Sequence, residues 1–587
     1  MDKLDTRDRV NGPDGVTQSW ETVDWREAEQ SVRRLRQRIF TASKVGDLKK
    51  VRNLQKLMLR SRANALISVR RVTEVNAGRV TAGVDGKVIS EASEKATMVS
   101  WIQRESRAWG AQPVKRVYIP KSNGKKRPLG IPVITDRALQ ALAVNALEPE
   151  WEARFEPKSY GFRPGRGCHD AIEAVFTTAK GPRPSRPWVL DADLAAAFDR
   201  INHQALLAAL GSFPAKGMVS QWLTAGVLEK DAFSATTEGT PQGGVISPLL
   251  MNVALHGMEK AAGVHYVESG YNAGTTRKWA PVLIRYADDF LVLCHTRERA
   301  EEVKEKLAGW LVTRGLAFNE EKTRIVHLND GCDFLGFAIR RYRGKLLIKP
   351  SAAAIRRIRD RLTAEVRSLR GSNAAAVIHR LNPIIRGWAA YYRIGVSSSA
   401  FRALDYHMWH LTYSWARHEH RKKSKHWVVN RYYGKFHPTR QDRWVFGDRE
   451  SGAYLQRFTW TAIVRHSMVK GISSPDDPTL AEYWTMRRTK KKTAAGQRHG
   501  VLRAQDGLCP LCRDFLLYAD HEPQSPREWE QWVKVVNRAL RTKWIVAESV
   551  QRRTGVTVVT RLVHGHCLRR AGSGTANLAA NEPIGLA

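Results

Sequence analysis

The chain has 587 residues, with 96 lysines and arginines against 57 acidic residues and a formal net charge of +39; at roughly 100 to 200 residues per domain this predicts three to five units. A 43% hydrophobic content with 19 tryptophans can build cores, which excludes a disordered basic tail. Six scattered cysteines exclude a disulfide framework, and neither an apolar signal core nor a stretch of roughly 18 apolar residues is present, so a soluble, cytoplasmic protein with no membrane partner is expected.

So strong a positive potential is best matched by a phosphate backbone, whose condensed counterions are released on binding. The alternatives are nonspecific basicity and an anionic membrane surface. From the N-terminus, residues 25 to 75 recur apolar at three- and four-residue steps among basic side chains, which predicts two basic amphipathic helices. An α/β region follows, from "TAGVDGKVIS" to about residue 345. Within it, alternation in "WVLDADLAAAFDRINH" puts Leu190, Ala192 and Leu194 on one strand face and Asp191 and Asp193 on the other. "PVLIRYA" and "FLVLCH" read as two more strands, with Asp288 and Asp289 at a tight hairpin turn between them. A turn aspartate alone is ordinary. If the two segments neighbour one another in a sheet, however, the converging carboxylates need a cation, and hard oxygen ligands favour Mg²⁺.

Residues 350 to about 435 look helical, rich in aromatic and basic side chains; Trp388, Tyr391 and Tyr392 stand at helical spacing and are expected in the core. "GISSPDDPTLAEYW" and "RRTKKKTAAGQRHG" suggest a loop and a charged linker. A small unit closes the chain, where Cys509, Cys512 and Cys567 with His564 or His566 form a zinc-like set; His564 is preferred because its gap to Cys567 repeats that of the first pair.

The ordered blocks "RVYIPKSNGKKRPLGIP", "SYGFRPGRGCHDAI", "VLDADLAAAFDRINH", "GTPQGGVISPLLMNVAL", "IRYADDFLVLC", "LAFNEEKTRIVH" and "CDFLGFAIRR" resemble the reverse-transcriptase blocks of group II intron-encoded proteins. "LNPIIRGWAAYYR" is similar to the maturase (X) domain of that family, and "HSMVKGISSPDDPTLAEYW" to its DNA-binding stretch. The resemblance implies an α+β right-hand polymerase with fingers and palm, a helical thumb/maturase domain and a small zinc-binding HNH-like C-terminal domain. The expected divisions are a basic helical extension over 1–75, fingers and palm over 76–345, thumb/maturase over 346–440, a DNA-binding linker over 441–495 and the HNH-like unit over 496–587.

Carried over by position, the resemblance implies that Asp193, Asp288 and Asp289, with the main-chain carbonyl of Leu194, hold two Mg²⁺ ions. It implies that Lys121 and Arg127 contact the incoming triphosphate, that Phe198 crowds the sugar 2′ position, that Gln242 lies beside the nascent base pair and that Lys322 lies near the leaving pyrophosphate. The bland alternatives are a solvated basic hairpin, a core phenylalanine and a surface lysine. Asp191 takes no such role and is expected beside the metal ligands or facing solvent, and Asp199 early in a helix. "YADHEPQSP" is similar to the opening of an HNH nuclease motif, with Asp520 as metal ligand and His521 as general base, but Leu568 and Gly572 depart from the histidines that usually follow. A retained zinc-stabilised fold is therefore expected over DNA cleavage.

The implied activity is RNA-directed DNA synthesis from deoxynucleoside triphosphates on an RNA template and DNA primer. Binding of intron RNA to assist splicing, and insertion at a target DNA, accompany it. The rivals are a splicing cofactor with an idle polymerase site and a reverse transcriptase unconnected with introns.

Overall fold

The structure, a computed structural model, describes residues 19–490 apart from 77, 121–125, 182–183 and 272, and then 505, 509–511, 516, 523–551, 558–565 and 567–568. Among the described residues the N-terminal region holds three α-helices, not the expected two: Trp25–Lys44, Leu48–Arg60 and Arg62–Arg70. The extra break has local causes. Gly46 adopts φ +78° and Asp47 caps the second helix by accepting from Lys50 N, while Ser61, extended at ψ 125°, ends that helix and caps the third. Their apolar stripes, with Ile39, Val51, Met58 and Val69 fully buried, pack on helix Ile134–Glu152, itself buried on almost every side.

Between these helices and Ile134–Glu152 the chain forms strands β1 (Val114–Pro120) and β2 (Lys126–Ile131), an antiparallel hairpin. β3 (Trp188–Asp193) follows. β4 (Val227–Glu229) then runs parallel to β1, and β5 (Ala232–Ser234) closes that sheet in the order β2-β1-β4-β5.

The central sheet has the order β6-β7-β3-β8, all antiparallel, with β6 at Val282–Tyr286, β7 at Asp289–Cys294 and β8 at Arg324–His327. Its two faces feed two separate cores, and period-two alternation sorts the side chains. Leu190, Ala192, Leu283, Phe290 and Val292 join the N-terminal helices. Val189, Ile284, Leu291 and Leu293 join the following elements. Those are a three-stranded sheet, β9 (Cys332–Phe334), β10 (Phe337–Tyr342) and β11 (Lys345–Pro350), and helices Ala352–Ser368, Ala374–Tyr392, Ser398–Glu419 and Lys425–Tyr432. Trp388, Tyr391 and Tyr392 lie in this second core, as expected.

The expected loop and linker after residue 440 is more firmly seated than its composition suggests. β12 (Tyr433–Gly434) pairs with β13 (Val445–Phe446), and Asp405 accepts from Phe458 N at 2.6 Å. "LAEYW" opens helix Ala481–Lys490, while residues 491–500 of the charged linker lie outside the described residues. The C-terminal helix Pro526–Arg541 joins the second core through Trp529 and a small third core through Val536 and Ala539. It crosses helix Ala374–Tyr392 at Gly387, where a Cβ would lie 2.6 Å from Glu530 N; only glycine permits this backbone approach. Beyond it, β14 (Ile545–Gln551) and β15 (Val558–His564) form a hairpin.

Candidate active site

β3 and β7 set the geometry. Their register places Asp193 directly opposite Asp289, so two acidic side chains from distant segments meet on one face of the sheet. Asp288 lies in the two-residue turn that joins β6 to β7, where Tyr286 pairs with Asp289. Ala287, the other turn residue, takes φ +59°, the left-handed conformation that tight hairpins demand and that non-glycine residues adopt at a cost.

Several contacts explain why this turn holds its shape. Segment 158–160 runs beside β6, with Tyr160 N donating to Arg285 O and Arg285 N to Lys158 O. Gly161 follows so closely that a Cβ would sit 2.3 Å from Ala287 N. Beneath the turn the buried guanidinium of Arg285 donates to Ala287 O at 3.2 Å and to Asn252 Oδ1 at 3.0 Å, and Asn252 in turn donates to Gly161 O. Burial pushes Arg285 down to about 10. Sequence reasoning missed Arg285, Asn252 and Gly161; the available signal was an arginine inside an otherwise apolar strand, a position that only a specific acceptor set makes tolerable.

The electrostatics are those of a crowded carboxylate cluster. Burial first, then the charges of Asp193, Asp288 and Asp191, push the Asp289 carboxyl up to about 7. Asp288 is raised by burial and by Asp193, against the opposing charges of Arg127 and Lys322. Burial also raises Asp191, which pairs with Arg324 at 3.0 Å instead of facing solvent. The Lys322 ammonium sits on Asp193 Oδ2. Carboxylates held this close, with a lysine lodged among them, are a donor set suited to a hard divalent cation.

The other expected residues fall as follows. Arg127 is exposed on β2, and its charge acts on Asp288; Lys121 lies outside the described residues. Leu194 is buried and bridges Phe318. Phe198 is 9% exposed and meets Phe162 edge to face at 6.3 Å. Phe162, a further residue missed from sequence, is 41% exposed at φ +61°. Asp199 lies in the short helix Ala197–Arg200. The loop carrying Gln242 is bound on both sides, with Thr240 N donating to Phe198 O and Gly130 N to Gln242 O. It thereby links the β1–β2 hairpin to the residues beside the aspartates.

At the C-terminus, Cys509, His564 and Cys567 bring their ligand atoms within 4.8 Å of one another. Cys512 and His566 lie outside the described residues, as do the nuclease candidates Asp520 and His521. Among the described residues no helix is long and apolar enough to cross a membrane.

Residues 119–339 match the family described as reverse transcriptase (RNA-dependent DNA polymerase). Residues 20–102 match the N-terminal domain of reverse transcriptase, and 355–433 the group II intron maturase-specific domain. Protein YkfC of Escherichia coli is 37% identical over 315 residues, covering 48% of this chain and 81% of that protein. The group II intron-encoded protein LtrA of Lactococcus lactis is 31% identical over 285 residues, covering 39% of this chain and 47% of its own length. The match thus spans about half of LtrA. Among solved structures, apo telomerase from Candida tropicalis aligns at 17% identity over 43% of this chain and 59% of that chain, with a TM-score of 0.31.

Proposed function

The chain belongs to the group II intron-encoded reverse transcriptase and maturase family, and from that premise we propose that it synthesises DNA on an RNA template at the Asp193, Asp288 and Asp289 cluster. The single observation that supports this most is the pairing of Asp193 against Asp289 across β3 and β7, with Asp288 at the adjoining turn. In this reading the three carboxylates and the Leu194 carbonyl hold two Mg²⁺ ions, which when bound supply charge neutralisation for in-line attack at phosphorus. Arg127 and Lys121 bind the triphosphate from the β1–β2 hairpin, Phe198 excludes a ribose 2′-hydroxyl, and Gln242 lies along the nascent base pair. Lys322, which contacts Asp193, donates in the same reading to the leaving pyrophosphate.

The domain divisions given above belong to the same proposal, as do a cytoplasmic setting, binding of intron RNA in splicing and target-primed insertion into DNA. The maturase-domain match over 355–433 supports the intron reading over a reverse transcriptase unconnected with introns. Substituting Asp288→Asn should abolish primer extension while leaving RNA affinity within about twofold, because one neutralised carboxylate changes little of a phosphate-binding surface. Retained extension would overturn the assignment, and equal loss of both would make Asp288 a folding residue.

A second reading concerns the C-terminal unit: Cys509, His564 and Cys567, with Cys512, hold a structural zinc ion. Metal analysis of the purified chain should find about one zinc per chain, falling sharply in Cys567→Ser. An unchanged or absent zinc content would reject the site.

A further inference from the structure

Helix Ser398–Glu419 carries Tyr406, Trp409 and Tyr413 at three- and four-residue steps, and so on one face. The rings of Tyr406 and Trp409 lie 6.4 Å apart at 18°, and those of Trp409 and Tyr413 5.5 Å apart at 7°, a ladder of nearly parallel planes. Trp444 stands at its side, 6.4 Å from Trp409 at 80° and 6.1 Å from Tyr433. Of these rings, Tyr406, Trp409, Tyr433 and Trp444 line a cavity of about 450 Å³, mostly apolar and open to solvent, with Arg402, Asp405 and Gln456 also in its lining. Part of the lining belongs to the residues 355–433 matched as maturase domain, and the rest to the stretch beyond it.

Tyr406 is 66% exposed and Trp444 57%, although folding normally hides rings of this size unless they have something else to cover. The charge around the opening is cationic. Arg402 is exposed, whereas the nearby carboxylates are engaged: Asp405 accepts from Phe458 N and Thr459 Oγ1, and Asp442 pairs with Arg457 at 2.7 Å. The volume lies within the roughly 300 to 1,000 Å³ of small-molecule sites, and flat apolar walls with a cation at the mouth suit a heteroaromatic ring joined to a phosphate. An apolar peptide side chain would use the walls but leave the arginine without a counter-charge.

We propose that this cavity binds one unpaired base extruded from a structured RNA, its face on the nearly parallel Tyr406 and Trp409 rings and its edge against Trp444, which stands at 80° to Trp409, with Arg402 against a neighbouring phosphate. The proposal rests on the reading of the chain as an RNA-binding protein and adds a particular site for an unstacked nucleotide, the form in which RNA is most readily recognised by its bases.

The test uses the full chain and two RNA hairpins of equal length, one fully paired and one with a single bulged fluorescent purine analogue. The wild type should bind the bulged hairpin about tenfold more tightly than the paired one, and stacking should quench the analogue. Trp444→Ala and Tyr406→Ala, both at exposed positions, should remove most of that preference and the quenching while changing affinity for the paired hairpin less than twofold. Equal wild-type binding of the two hairpins would overturn the proposal and leave a protein side chain as the occupant. So would variants that weaken both hairpins alike. Primer extension by the wild type separates the two readings: extension without bulge preference rejects only the cavity, and bulge preference without extension rejects only the polymerase.

Discussion

Asp289 is stabilised by its proton in the absence of metal. Burial and the charges of Asp193, Asp288 and Asp191 raise it to about 7, from a model-peptide value near 4. A carboxyl that binds its proton more tightly when folded contributes stability that is full below the unfolded value and lost as pH rises through the folded one. The contribution should therefore fade between about pH 4 and about pH 7, leaving a metal-free fold that carries an unfavourable charge at neutral pH. Asp289→Asn removes that charge. In chelator-treated buffer the variant should melt with the wild type near about pH 4 and several degrees above it at about pH 8. Mg²⁺ should then raise the wild-type Tm more than that of the variant, since only the former keeps the full ligand set. Thermal scans across pH decide this, and a difference that failed to grow with pH would remove the crowded-carboxylate account.

The elements that were legible in sequence are those whose pattern is local. β3 announced itself by alternation, and β6 and β7 by apolar runs flanking a turn, so the meeting of Asp193 with Asp289 required only that two recognisable strands pair. The N-terminal helices were legible in kind but not in number. Their apolar period runs on through breaks set by φ at Gly46 and by the Asp47 and Ser61 caps, signals that a basic amphipathic pattern drowns out. What supports the turn from below was not legible. Arg285 reaches Asn252 and Ala287 O only once helix Ser247–Ala254 and β6 are packed, and Gly161 is required by a backbone 126 positions away that no local rule connects to it. The composition of residues 471–500 likewise suggested a loop and a charged linker, because the groups that seat its described part, Arg36 and Asp170, lie far back in the chain.

Across the whole molecule, those partners show how a chain of net charge +39 stays folded: buried acidic groups tie its basic segments together. Arg36 of the first helix donates to both Asp476 and Glu148 at 2.7 Å, joining the N-terminal region to helix Ile134–Glu152 and to the segment before Ala481–Lys490. Asp170, near the start of helix Cys168–Ala179, accepts from His466 Nε2, Val469 N and Arg487 Nη2 through one oxygen and from Gly167 N through the other. Burial opposes ionisation there, but the bond and charge of His466, with Arg487 and Val469 N, outweigh it and hold Asp170 down at about 2. Being depressed, it contributes stability in full above about pH 4, and that contribution is lost as pH falls through about 2. Asp170→Asn would leave the Arg487 guanidinium buried without its counter-charge, a loss of about 3 to 5 kcal/mol at neutral pH. The expected result is a Tm lower by several degrees near neutrality, a gap to wild type that narrows on acidification below about pH 4, and faster proteolysis within residues 466–487. If that stretch were an independent linker, the substitution would change neither melting nor cleavage; if it is seated as the structure has it, both should respond together.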